Sequence, residues 1–262
     1  MQPLEYPLYS VFHSDFQKIK CPLTVEELNQ LRIEHRLQNY FFINQSCDVH
    51  GSSHGYELII NRDKKIPTRE NSWHDTLNAL VWMTFPNLKR TLNYFQCLDF
   101  KSTQNKIRTA RQNLLAHFDE DGIILLHTDC EFIDKLKNHE WMRIFHNEST
   151  NYGLTWKVWG FGHGLMEKCL QPYIGLTAKA MLIQVNQDFF KNHFQSQIEI
   201  IDDFLSKTIT QQSRLLCENR LQPFPLLGVP GWYPGQCFNF YKNNVYFREV
   251  AKNKKIVLKL KL

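Results

Sequence analysis

The sequence predicts an α+β fold, a helix-rich single domain with a small mixed sheet. Three observations carry this expectation: helix starts with N-terminal caps recur along the chain, short apolar runs of strand length lie between them, and no repeat, low-complexity tract or linker divides the chain. Its 262 residues suffice for a substantial core, and 43% apolar with 22% charged residues is ordinary globular composition. Aromatics at 13% predict a core rich in Phe, Tyr and Trp. Residues 1–39 are expected as an N-terminal extension, 40–250 as the α+β domain, and 251–262 as a basic C-terminal strand or tail.

The elements follow in order. A helix starts at Thr24, where T-V-E-E supplies a capping box through Glu27. Tyr40–Asn44 and Tyr56–Ile60 read as short strands separated by the "GSSHG" turn. In "SWHDTLNALVW", Ser72 and Asp75 form an S-x-x-D variant of the capping box, so a helix begins near Trp73 and runs to about Thr84. Phe85 precedes a proline and avoids helical dihedrals, which ends that helix, and a second restarts at Pro86. Residues 103–117 predict a helix with Ile107, Ala110, Leu114 and Phe118 on one face. "FDEDG" is expected to turn the chain into the strand Ile123–Leu126. Leu154–Trp159 is a strand leading into a helix start at "GFGHGLMEK", Ala180–Val185 is another strand, and Gln197–Asn219 is a long helix with Ile198, Ile201, Leu205 and Ile209 in line. "PFPLLGVPGWYPG" is an ordered loop, and Asn243–Asn244 turns a final hairpin.

Charge and cysteine content narrow the function classes. The net charge is +5, and the five lysines Lys252, Lys254, Lys255, Lys259 and Lys261 account for all of it. The remaining body is formally neutral, which argues against a broad nucleic-acid face. The alternation Leu258, Lys259, Leu260, Lys261, Leu262 reads as an edge strand guarded by lysines. No apolar run is long enough to span a bilayer, and the N-terminus lacks a secretory pattern. The seven cysteines are scattered and none forms C-x-x-C, which reads as reduced thiols in a cytoplasmic protein. No serine nucleophile elbow, P-loop or EF-hand is present.

Three segments together resemble a bacterial family known as domain of unknown function 3025. They are "YELIINRDKKIPTRENSWHDTLNALVWMTFPNLKRTLN", then "FDEDG" with "FGHGLMEK", and "PFPLLGVPGWYPG" with "FYKNNVYFR". The resemblance runs from about Tyr56 to Arg248 and brings no reaction with it. It supplies matching polar or aromatic positions: Glu57, Arg69, Trp73, His74, Asp75, Asn78, Asp119, Glu120, His163, Glu167 and Trp232. The chain departs where relatives carry acidic residues, placing Gln236, Cys237 and Phe238 after the Gly-Trp loop and Lys242 and Asn243 after Phe-Tyr.

The residues themselves leave two readings open at each place. His74 and Asn78 are one helical turn apart with Asp75 beside them, so they either face a cleft, His74 acting as base or metal ligand, or satisfy local backbone. Asp75 also sits where a carboxylate caps a helix. His163 and Glu167 are spaced i and i+4, which lets both point at one ion or lets them bond each other. Asp119 and Glu120 are candidate ligands with them, or part of a solvated turn. Arg69 is a candidate grip for an anionic small molecule or a partner of Glu57 or Glu70, and Trp232 is a pocket wall or a core anchor. The leading expectation is an enzyme with a His/carboxylate site, metal-assisted and hydrolytic, with a divalent ion as candidate cofactor. The alternatives are a binding or scaffold protein whose polar residues hold the fold, and nucleic-acid binding through the tail.

Overall fold

The computed structural model describes residues 4–45, 53–102, 109–212, 221–249 and 259–262. Its elements are α1 (Ser14–Gln17), α2 (Val25–Glu34), β1 (Phe41–Asn44), α3 (Ser53–Asp63), β2 (Lys65–Thr68), α4 (Trp73–Thr84), α5 (Pro86–Ser102), α6 (Ala110–Asp121), β3 (Gly122–His127), α7 (Cys130–Lys137), β4 (Trp156–Gly160), α8 (His163–Lys168), β5 (Thr177–Gln184), α9 (Phe194–Gln211), β6 (Gln222–Pro225), α10 (Phe238–Tyr241) and β7 (Lys259–Lys261). This is an α+β domain.

The larger sheet runs β4-β3-β5-β6, and β7 pairs with β5 as well. β3 is antiparallel to β4 and parallel to β5, so the sheet is mixed. Every residue of β3 is buried, which its continuous run Ile123–Leu126 requires of a strand covered on both faces. β6 and β7 both pair along β5, antiparallel through Thr177–Ala180 and parallel through Leu182–Gln184. In β7 only Leu260 is buried while Lys259 and Lys261 are exposed, as the alternation predicts; Lys252, Lys254 and Lys255 lie outside the described residues. β1 and β2 form a separate parallel pair.

Helix α4 runs through the interior. Ser72 Oγ accepts from the Asp75 amide at its start, and Leu77, Leu80 and Val81 are fully buried, each contributing about 1.5–3 kcal/mol. Residues 75–84 are all buried, and His74, Asp75 and Asn78 on this helix line a cavity. Residues 4–39 share this core: Leu8, Tyr9 and Phe12 are buried in it, and the Leu23 amide donates to Thr76 Oγ1. The capping box at Thr24 forms as expected.

Several elements differ from expectation. Tyr56–Ile60 belongs to helix α3, not a strand. A five-residue apolar run does not distinguish the two, and here Tyr56 and Ile60, four apart, share one helical face. "FDED" continues α6, and the turn narrows to Gly122, which caps the helix and opens β3. No hairpin forms at Asn243–Asn244, because Asn243 Oδ1 takes the Val245 and Tyr246 amides and makes a side-chain turn. Residues 103–108 and 213–219 of two expected helices lie outside the described residues.

Candidate functional site

Helix α6 ends in Asp119, Glu120 and Asp121. Three carboxylates at the negative end of a helix dipole repel both it and one another. Each has its own counter-group. Lys89 Nζ, from α5, donates to Asp119 Oδ1 at 2.5 Å, Lys168 Nζ, from α8, donates to Asp121 Oδ1 at 2.7 Å, and His163 Nε2 lies 3.2 Å from Glu120 Oε2. Lys89 is buried, donates also to Asn78 Oδ1 at 2.9 Å, and sits 5.3 Å over the Trp82 ring. Burial alone would raise the Asp119 carboxyl, but Lys89, His163 and His74 outweigh it and hold it below its ordinary value. Burial, with Asp119 and Asp121 on either side, pushes Glu120 the other way against the pull of His74.

Two imidazoles meet above this helix end. His74, in the first turn of α4, and His163, the first residue of α8, stand edge to face with ring centroids 4.5 Å apart. His74 Nδ1 lies 2.9 Å from Glu167 Oε2. The two residues spaced i and i+4 on α8 are thus divided: Glu167 takes His74, and His163 takes Glu120. Burial pushes His163 down to about 3, so its ring is neutral at physiological pH, and among the described residues its Nδ1 is buried without a hydrogen-bond partner. One coordinating atom from each of His74, Glu120 and His163 lies within 4.8 Å of the others.

The glycines before and after His163 allow this approach. A Cβ on Gly164 would stand 2.9 Å from Glu120 Oε2 and 3.1 Å from its carbonyl oxygen. A Cβ on Gly162 would stand 2.6 Å from the same carbonyl and 2.7 Å from the Asp121 amide. Stacking of Phe118 on Phe161, 4.6 Å between centroids, fixes the same junction. A side chain at Gly162 would meet the backbone of α6, and one at Gly164 would push the Glu120 carboxylate from its place beside His163.

A cavity of about 450 Å³ opens beside the cluster. Arg69, His74, Asp75, Asn78, Asp119, Glu120 and His163 line it. Their commitments differ. Asp75 accepts three bonds from Arg69, from the amide at 2.6 Å, from Nε at 3.1 Å and from NH2 at 2.7 Å. Asp75 therefore does not orient His74, and the fork of Arg69 is filled from within the chain by Asp75, neither Glu57 nor Glu70. Asn78 Nδ2 donates to Tyr56 Oη at 3.0 Å. Trp232 is absent from the cavity wall and is buried edge-on against Tyr6 and Tyr152, with centroids at 5.7 and 6.3 Å. Sequence reasoning missed Lys89 and Tyr56. A lysine within an amphipathic helix carries no sign of burial, and Tyr56 was hidden by its assignment to a strand.

Among the described residues no helix is long and apolar enough to cross a membrane. No curated protein and no solved structure matches the chain. A family model described as "Protein of unknown function (DUF3025)" matches residues 40–251, a span that holds the cavity, both histidines and all three acids of the α6 terminus. On that match the chain belongs to the DUF3025 family.

Proposed function

We propose that the protein is a hydrolase whose chemistry is assisted by a divalent metal held by His74, His163 and Glu120. The observation that carries this reading is the convergence of two imidazoles and one carboxylate, from three helix ends, within 4.8 Å at the wall of a cavity. Two histidines and a carboxylate form a ligand set suited to zinc or ferrous iron, with room left for substrate. The neutral state of His163 fits ligation, since only an unprotonated ring nitrogen coordinates. Glu167 on His74 Nδ1 fits the outer carboxylate that orients a ligating imidazole and leaves its Nε2 free.

A metal held there would lower the pKa of a bound water and polarise an acyl oxygen. Water adds its oxygen to the acyl carbon, the bond to the leaving group breaks, and the leaving group departs with a proton. Asp119, held ionised by Lys89 on the same wall, keeps its second oxygen to accept a hydrogen bond from that water and orient it. Asp75 and Asn78 serve as framework in this reading, because their polar side-chain atoms meet partners within the chain, and Arg69 is tied to Asp75 through Nε and Nη2.

Metal analysis and zinc calorimetry on the purified protein, with His74→Ala, His163→Ala and Glu120→Gln beside it, test the proposal. One equivalent of divalent metal in the wild type, lost in all three variants, is expected. Equal metal content in wild type and both histidine variants overturns it and leaves the architectural reading, in which the cluster only joins α4, α6 and α8.

A further inference from the structure

We infer that the cavity takes an uncharged, amide-bearing small molecule and rejects carboxylates and phosphates, with the Tyr56 hydroxyl donating to the amide oxygen. The inference rests on the metal-assisted reading above and names its substrate class. Its first support is the charge of the wall. Glu57, Asp75, Asp119 and Glu120 face two cations, Arg69 and Lys89, a formal balance of −2 that a divalent ion brings to zero. An anionic substrate would make the filled site negative again.

The second support is that both cations are already neutralised by acids of the chain, Arg69 by Asp75 and Lys89 by Asp119. Both oxygens of Asp75 meet the guanidinium of Arg69. Lys89 is spent on Asp119 and Asn78 beneath the wall, at 4% side-chain exposure. A phosphate or carboxylate is gripped best by a free guanidinium fork or ammonium, and here the Nε/Nη2 fork of Arg69 is taken by Asp75 and the Lys89 ammonium by Asp119 and Asn78.

The third support is the kind of polar group left open. Tyr56 Oη accepts from Asn78 Nδ2, which orients the hydroxyl, and no described residue accepts its proton. Burial raises the phenol far above its ordinary value, so it stays a donor across the physiological range. Asp119 uses one oxygen for Lys89 and is 28% exposed, leaving acceptor capacity on the wall. One neutral donor and one acceptor complement the C=O and N–H of an amide. Ile60, Leu92 and Leu115 supply apolar wall for the rest of the molecule. A divalent ion held by His74, His163 and Glu120 would polarise the amide C=O, and hydrolysis would place water's OH on its carbon and water's second hydrogen on the departing nitrogen.

Benzamide, benzoate and phenyl phosphate share a ring and differ in charge, which makes them a matched probe set. Zinc uptake by the full chain is measured first, and absence of uptake refutes the metal reading. The three probes are then titrated by calorimetry into zinc-loaded protein, and into zinc-free protein in parallel. Benzamide is expected to bind at least about tenfold more tightly than either anion in both samples. Tyr56→Phe is expected to weaken benzamide about 3- to 10-fold while leaving zinc affinity unchanged. Benzoate or phenyl phosphate equal to or tighter than benzamide overturns the substrate class even when zinc binds, and an unaltered benzamide affinity in Tyr56→Phe overturns the role of that hydroxyl.

Discussion

Lys89→Met removes a buried charge and leaves its partner in place. The ammonium meets Asp119 at 2.5 Å and Asn78 at 2.9 Å, so its loss strands one carboxylate and one amide oxygen. Breaking a buried ion pair from one side costs about 3–5 kcal/mol. Asp119 keeps 28% of its side chain exposed, and the water this admits places its share at the lower end, near 3 kcal/mol. The Asn78 oxygen adds up to about 1 kcal/mol. The total is about 3–4 kcal/mol at pH 7. Urea denaturation, with the slope monitored for constancy, reads it directly.

The sign with pH follows from Asp119. In the wild type its folded pKa is depressed, so it contributes stability above its unfolded value that is lost as pH falls through the lower folded value. Without Lys89, burial dominates and raises that pKa, so the penalty exists above the raised value and disappears as pH falls through it. The gap between wild type and variant therefore narrows from pH 7 to pH 4, and Asp119→Asn in the Lys89→Met background recovers most of the loss at pH 7. A cost below about 1 kcal/mol, or a gap that does not narrow in acid, refutes the view of Lys89 as the counter-charge of the α6 terminus.

Three further outcomes are expected. Asp202 is fully buried, caps α5 through the Asn87 and Leu88 amides, and is pushed up to about 6 by burial; its contribution is present below the unfolded value and lost as pH rises through 6. Asp202→Asn should therefore gain about 2 kcal/mol relative to wild type between pH 4.5 and pH 7, read by urea midpoints at the two values. Gly164→Ala should displace Glu120 and lower zinc affinity about 10- to 100-fold by calorimetry, with α8 still formed by circular dichroism. Trp232→Ala should cost about 3–5 kcal/mol in thermal unfolding while zinc uptake by the remaining folded protein is unchanged, because the ring lies in the core away from the cavity wall.

Local signals were legible in the sequence, and distant pairings were not. The box at Thr24, the cap at Ser72 and the break at Pro86 are set by residues within four positions of one another, and each forms. Continuous apolar runs located the central strands. Both histidines were placed correctly at helix starts for the same reason. The partners were hidden, since His74 meets Glu167 across 93 positions and Lys89 meets Asp119 across 30. Spacing on one helix suggested His163 with Glu167, but the packing of α8 between α4 and α6 gave each a different neighbour. The glycine after the acids of α6 suggests a turn, whereas Gly122 closes the helix immediately after its last acid, Asp121.

The flank of β5 is closed by two short pieces, with Met181 at the seam. Main-chain donors and acceptors on that side would otherwise form a template for strand addition by a second molecule. Because β6 covers four residues and β7 three, loss of either leaves a stub of three or four residues exposed, too short to seed an extended intermolecular ladder. The fold thereby divides protection against self-assembly between two stretches of chain more than thirty residues apart.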